Sequence, residues 1–223
     1  MKSEKLTRWY DDACGTAHAL ELLGERWAML VVRELMFGPR RFGELRGGLP
    51  GISANILTQR LAGLEAAGVL RRRHLPPPAS AQVYELTPWG YESEPIMQAL
   101  GRWATRSPDH DPTLPFSAAS AMMSLRTMID VDKARSMDAT IGFRFGNDSF
   151  LARLKNRELT IARGDGPADV TLETDPVTMA ALVYGKWPLA EAEAAEAVRV
   201  TGNRVTWDRF VTLFALPSKV SVE

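Results

Sequence analysis

The chain has a single cysteine, Cys14, so no disulfide can close within it, and a reducing cytoplasm is its expected home. Its three histidines, His18, His74 and His110, fall in a helix, a hairpin and a linker, at spacings that match no metal site. The lone cysteine cannot complete one with them. There is no Gly-rich phosphate loop and no nucleophile-elbow sequence. No enzyme, catalytic residue, metal or cofactor is therefore expected. No apolar run approaches the ~20 residues of a membrane span, and the opening MKSEKLTRWYDD lacks the apolar region of a signal peptide. An excess of charge is missing too, since 27 Lys and Arg balance 27 Asp and Glu. General adhesion to anionic surfaces is thereby excluded.

What charge there is lies unevenly. Residues 1–107 carry 14 basic side chains against 11 acidic, and the remainder 13 against 16. The segment from Arg40 to Arg73 is sharper: Arg40, Arg41, Arg46, Arg60, Arg71, Arg72 and Arg73 face only Glu44 and Glu65. A neutral chain with one basic patch fits local contact with phosphates. Its 223 residues, 45% hydrophobic and 24% charged, suffice for one large or two small domains with a proper core.

The patch centres on Leu49–Leu86. Leu57, Leu61 and Leu64 recur at helical spacing after a plausible N-cap, Ser53, and Gly68 closes the helix. With the leucines inward, Asn55, Thr58, Gln59 and Ala62 face out, a small polar surface free of acids that suits base edges in a major groove. Val69–Arg73 then starts a strand, Pro76–Ser80 forms a tip and Val83–Leu86 returns. Alone, this could be a surface helix packed on a small hairpin. The arginines and the upstream segment favour a winged helix-turn-helix instead. Upstream, 13–23 reads as a short helix, Glu25–Phe37 as a strongly apolar second helix and Arg41–Leu45 as the first half of the helix-turn-helix. Thr87-Pro88 caps a further helix running to about Ser107, with Ile96, Met97, Leu100 and Trp103 as its apolar stripe. So wide a stripe on so small a domain implies a homodimer, with this helix and the first at the interface.

Residues 108–115 form a linker by composition. Phe116–Ile129 follows as a methionine-rich helix holding Met122, Met123 and Met128. Ala139–Phe145, Ser149–Lys155, Glu158–Arg163 and Asp169–Thr174 alternate as strands, and the turns between them suggest an antiparallel meander. Asp175-Pro176 caps another helix, and Arg204–Leu216 is the last. The fold class is α+β: a winged helix domain over 1–107, the linker 108–115, and over 116–223 an α+β domain with a mainly antiparallel sheet.

The first half resembles the HxlR-type branch of the MarR-like winged helix transcriptional regulators. The resemblance rests on Cys14, Ala19-Leu20-Glu21, Gly24-Glu25-Arg26-Trp27 and Arg33-Glu34-Leu35. It continues through Gly38–Leu45, Leu49–Ser53, Leu57–Leu61, Leu64-Glu65, Gly68, Tyr84–Thr87 and Gly90. It implies a homodimeric, cytoplasmic protein that binds double-stranded DNA at a pseudo-palindrome, with Ser53–Ala67 in the major groove and Arg71–Gln82 as wing. The second half is similar to sterol-carrier-protein-2-type domains, through Val170–Asp175 and through Val198–Gly202 before a closing helix. That resemblance implies a site for an apolar small molecule.

Phosphate contacts are expected from Arg40, Arg41, Arg71, Arg72 and Arg73, and base contacts from Ser53, Asn55, Thr58, Gln59 and Arg60. Met122, Phe143, Phe145, Phe150, Trp207, Phe210 and Phe214 are the expected ligand wall, with plain core as the alternative. Cys14 stands where some members of the regulator family carry a sensing thiol. The sequence shows neither exposure nor a lowered pKa, and Asp11 and Asp12 disfavour a thiolate, so a buried or inert cysteine is the alternative. The expected function is transcriptional regulation, as a repressor, with a ligand-sensing second domain. The rival is a lipid carrier whose winged helix only dimerises, for which the arginine-rich wing has no use.

Overall fold

The computed structural model describes residues 10–221. The chain divides into two compact units, one ending at Ser93 and the other beginning at Glu94.

The first unit contains α1 (Gly15–Leu23), α2 (Ala28–Leu35), α3 (Phe42–Gly48), α4 (Ala54–Ala66), β1 (Leu70–His74), β2 (Gln82–Leu86) and α5 (Pro88–Tyr91). Its core joins Val31, Val32 and Leu35 of α2 to Leu45 of α3, Leu57, Leu61 and Leu64 of α4, and Leu70, Val83 and Leu86 of the hairpin. The second helix is shorter than the expected Glu25–Phe37. Trp27 takes a left-handed φ of 79°, which a bulky residue adopts only under constraint, and no α-helix continues through it. The Arg26 guanidinium lies 5.6 Å from the Trp27 ring centroid.

Helix α4 begins and ends as its sequence dictates. The Ser53 hydroxyl accepts the Ile56 N–H at 3.2 Å, and Gly68 at φ 76° lets the Val69 N–H return to the Leu64 carbonyl at 2.9 Å. The hairpin pairs Leu70 with Leu86 and Arg72 with Tyr84. Arg40 adds a bridge, its N–H and C=O both bonded to Tyr84. Thr87 caps α5 as expected, accepting the Gly90 N–H at 3.0 Å. Gly90 is required there, because a Cβ would come within 2.1 Å of the Val69 carbonyl oxygen. The expected single helix from Thr87 to Ser107 is broken. Pro95 has no N–H for the Tyr91 carbonyl, and its ring would clash with it, so α6 starts afresh as Glu94–Ala104.

In the second unit α6 precedes α7 (Ala118–Met128), a 3-10 turn at Lys133–Ser136, β3 (Ala139–Phe145), β4 (Asp148–Lys155), β5 (Glu158–Arg163) and β6 (Val170–Glu173). Then come α8 (Pro176–Val183), α9 (Leu189–Ala194), β7 (Arg199–Gly202) and α10 (Arg204–Val211). Contacts place α6 in this unit, whereas the sequence reading drew its boundary after residue 107. The Arg126 guanidinium of α7 meets Glu94 at 2.9 Å, and Arg102 donates to the Thr127 carbonyl.

The sheet runs β5-β4-β3-β6-β7. Strands β3 to β5 are the expected meander, but β6 does not continue it. It lies parallel to β3, pairing Ile141 with Val170 and Phe143 with Leu172, while β7 returns antiparallel to β6. The short segment from Gly164 to Asp169 makes this crossover. Gly166 passes so close to Leu151 that a Cβ would sit 2.9 Å from it, and Asp165 pairs with Arg144 at 3.2 Å. At its end the Asp169 carboxylate accepts the Thr140 N–H at 2.7 Å, pinning β6 to β3. One sheet face is core, formed by Ile141, Phe143, Phe145, Phe150, Ala152, Leu154, Ile161, Val170 and Leu172, all buried. Among the described residues, no helix is long and apolar enough to cross a membrane.

Candidate nucleic-acid interface

Helix α4 turns Leu57, Leu61 and Leu64 inward, which leaves Asn55, Thr58, Gln59 and Ala62 exposed as its amphipathic pattern requires. Not all of the polar groups on this helix are equally available. The Ser53 hydroxyl is engaged as the cap, and the Thr58 hydroxyl donates to the Ala54 carbonyl at 2.9 Å. Asn55 and Gln59 make no side-chain hydrogen bond among the described residues, so their amides stand ready for bidentate contact. Arg60 is placed differently. Its Nη2 lies 3.3 Å from a Glu25 carboxylate oxygen, and its Nε is buried with no hydrogen-bond partner among the described residues.

The other expected arginines lie on the neighbouring elements of this unit. Arg41 is exposed where α3 begins, its backbone N–H donating to Glu44 at 2.8 Å. Arg40 is held by its backbone bridge to β2, with its side chain largely covered and Nε 3.6 Å from Glu44. On the hairpin, Arg71, Arg72 and Arg73 are all exposed. Each is also ion-paired: Arg71 and Arg73 with Glu85 at 2.7 and 3.0 Å, and Arg72 with Glu65 of α4. Glu65 and Glu85 were missed in the sequence. The hairpin register, which sets Glu85 opposite Arg71, is the signal that could have found one of them.

A groove of about 590 Å³, which the sequence did not announce, runs along α1, the turn into α2 and the flank of α4. Gln59 and Arg60 form part of its wall with Leu20, Glu21, Glu25 and Leu64.

Cys14 is neither buried nor disfavoured as a thiolate. It is exposed at the N-cap of α1, where the Ala17 N–H, followed by the Thr16 N–H and hydroxyl, holds its thiol below the ordinary value. The Asp12 carboxylate, expected to oppose this, accepts the Cys14 backbone N–H at 2.9 Å.

In the second unit the expected ligand wall comes together as one cluster. Phe143 lies 6.0 Å from Phe145 and 6.3 Å from Trp207, and Phe210 lies 4.8 Å from Phe214, centroid to centroid. Phe150 meets Phe145 at 6.2 Å, and Met122 of α7 is fully buried. The rings contact one another as a core does. In the same unit the Tyr184 hydroxyl donates to Ser124 at 2.9 Å, and burial pushes the Tyr184 phenol up. Among the described residues, no group of three or more His, Cys, Asp and Glu is placed to hold a metal ion.

Comparison with known proteins also divides the chain in two, but with the change at about residues 104–112 rather than at Ser93. The profile of the HxlR-like helix-turn-helix family matches residues 22–112, and that of the alkyl sulfatase C-terminal family matches 104–220. The second half, similar by sequence reading to sterol-carrier-protein-2-type domains, is thus matched by an alkyl sulfatase family. The uncharacterized HTH-type transcriptional regulator YvaP of Bacillus subtilis (strain 168) is 37% identical over 87 residues, covering 39% of this chain and 81% of YvaP. The HTH-type transcriptional regulator YodB of the same organism is 37% identical over 86 residues, 39% of this chain and 77% of YodB. Among solved structures, the inverting sec-alkylsulfatase Pisa1 from Pseudomonas sp. is similar at 25% identity and a TM-score of 0.41, over 45% of this chain. This chain spans only 16% of that enzyme. With YvaP and YodB spanned over most of their length, and residues 104–220 matched by the second family, the chain belongs to the HxlR-like helix-turn-helix family by its first part and to the alkyl sulfatase C-terminal family by its second.

Proposed function

We propose that this chain is a DNA-binding transcriptional repressor that acts as a homodimer in the cytoplasm, and that its second unit senses an apolar small molecule. One observation carries the DNA reading: α4 exposes the amides of Asn55 and Gln59, which make no hydrogen bond among the described residues, and exposed guanidiniums stand on the adjoining elements, Arg41 at the start of α3 and Arg71, Arg72 and Arg73 on the hairpin. Such an outward face suits base edges, and the flanking arginines suit phosphates. Arg60, turned toward Glu25, is the least suited of the expected base-reading residues. The homodimer is supported by apolar side chains left in solvent. Ile96, Leu100 and Trp103 of α6 are 53%, 44% and 74% exposed at helical spacing, and Leu20 of α1 is 50% exposed. A second copy would cover them, and a two-fold dimer matches a pseudo-palindromic site.

The ligand we infer for the second unit is a molecule with an alkyl chain. Membership of the alkyl sulfatase C-terminal family supports this, as does a core of aromatic rings and methionines that repacks readily. Because those rings already touch, the chain of the ligand would enter by displacing α10 side chains. It would alter DNA affinity only by binding the competent and incompetent dimers unequally. Cys14, exposed and acidified, is the candidate for a second, thiol-based input.

Selection from a random duplex library, followed by affinity measurement over a salt series, tests the central reading. A pseudo-palindrome with half-sites about 34–36 Å apart, or a multiple of that, is the expected product. Enrichment of no sequence, or retention of alkyl ligands without any DNA affinity, would favour the lipid-carrier reading.

A further inference from the structure

The three hairpin arginines are compensated from within their own unit. Register sets Glu85 across from Arg71, and strand alternation sets Arg73 on the same face two residues later. A single carboxylate, 10% exposed, serves both: Oε1 lies 2.7 Å from Arg71 Nε and Oε2 lies 3.0 Å from Arg73 Nη2. Arg72, on the other face, is held by Glu65 near the end of α4. Its Nε lies 3.0 and 2.8 Å from the two carboxylate oxygens, and its backbone N–H lies 3.3 Å from one of them. The Arg72 side chain, by donating to Glu65, holds that carboxyl below its usual range, so it stays ionised at neutral pH. Three guanidiniums and two carboxylates leave one net positive charge on a wing that reads as three in sequence.

We propose that Glu65 and Glu85 are charge-compensating positioning residues of the DNA interface, fixing the wing guanidiniums in place while holding down their pull on phosphates. This rests on the DNA-binding reading and assigns to it two acidic residues within the basic patch. Two effects oppose each other when such a carboxylate is removed. The arginine loses its anchor and gains freedom, which weakens binding. It also loses a negative charge about 3 Å away, which strengthens attraction to phosphate. The Arg72–Glu65 pair, 53% and 29% exposed, holds its partners weakly, and Glu85, though itself covered, pairs with two exposed guanidiniums; each further phosphate neutralised steepens the salt dependence by about 0.9 log units per log unit of salt. The charge effect wins.

The test compares the full-length wild type with Glu65→Gln and Glu85→Gln by fluorescence anisotropy, on a preferred and a random duplex, over a potassium chloride series. Each variant should bind both duplexes more tightly, with a slope steeper by about 0.9. From about 200 down to 50 mM salt the gain should grow about three- to fourfold, equally on the two duplexes. The preferred-to-random ratio should not change, because the base-reading amides are untouched. Weaker binding with an unchanged or shallower slope would overturn the proposal and leave the carboxylates as mere anchors of the hairpin. If Glu85→Gln loses its cooperative melting transition, Glu65→Gln decides alone, since its carboxylate is partly exposed. Wild-type protein that binds no duplex would overturn both this proposal and the reading beneath it, whereas wild-type binding with unaltered variant slopes overturns this one only.

Discussion

Gln59 and Arg60 are adjacent in sequence yet meet different surroundings. Gln59 is exposed and its amide makes no hydrogen bond among the described residues, while the Arg60 guanidinium folds back to Glu25. Gln59→Ala should therefore cost ~1–3 kcal/mol on the preferred duplex and almost nothing on random DNA, read as two dissociation constants. Equal losses on both would mean that Gln59 contacts phosphate. Cys14 makes a second prediction at this scale. The Ala17 N–H, then the Thr16 N–H and hydroxyl, at the start of α1 favour its thiolate, so the pKa is lowered, and the thiolate fraction at neutral pH exceeds that of an ordinary thiol. The rate of alkylation by iodoacetamide should rise through a midpoint below that of a free cysteine. A midpoint at or above it would remove Cys14 from consideration as a reactive site.

At the scale of elements, the cap of α4 and the face of β4 make separate predictions. Ser53 supplies the hydroxyl for the Ile56 N–H, so Ser53→Ala should destabilise the first unit by about 1 kcal/mol in urea unfolding, with Ser53→Gly milder. Ala152 is fully buried on β4 between Ile141 of β3 and Ile161 of β5, on the face that carries Phe150. With the rings already in contact, Ala152→Phe should cost ~1–3 kcal/mol or more by overpacking, seen as a lowered melting temperature. Unchanged melting would instead reveal spare room in the cluster, a cavity ready for an apolar guest.

The whole molecule is where dimerisation and ligand response belong. Leu100→Glu on the exposed stripe of α6 should leave the fold intact, because the side chain is 44% exposed, but shift the mass by light scattering from dimer to monomer. Wild type already monomeric at micromolar concentration would contradict the homodimer. Alkyl sulfates and fatty acids of increasing chain length should raise the melting temperature of the full chain by mass action. At a hundredfold excess over the dissociation constant the gain is ~2.7 kcal/mol. No shift with any of them would leave the second unit without the alkyl ligand proposed for it.

Much of the architecture was written locally. Leu57, Leu61 and Leu64 at helical spacing, with Ser53 before them and Gly68 after, determined α4 within a residue at each end, because periodicity and caps are properties of a short segment. Alternation likewise determined β3 and β5 to the residue, and Thr87 and Asp175 marked the starts of their helices. Tertiary structure alone decided which edge β6 would join. Its Val170-Thr171-Leu172 pattern satisfies the free side of β3 as well as that of β5, and the choice was made by Asp169 reaching Thr140 and Gly166 clearing Leu151. The same holds for Trp27, whose left-handed backbone shortens a helix that its apolar neighbours would otherwise extend. It holds equally for the wing, where sequence counts three arginines and only the folded register brings Glu85 and Glu65 to them. A local pattern can state what a segment is. Which distant group meets it depends on contacts made once the chain has closed, and those carry no mark in the segment itself.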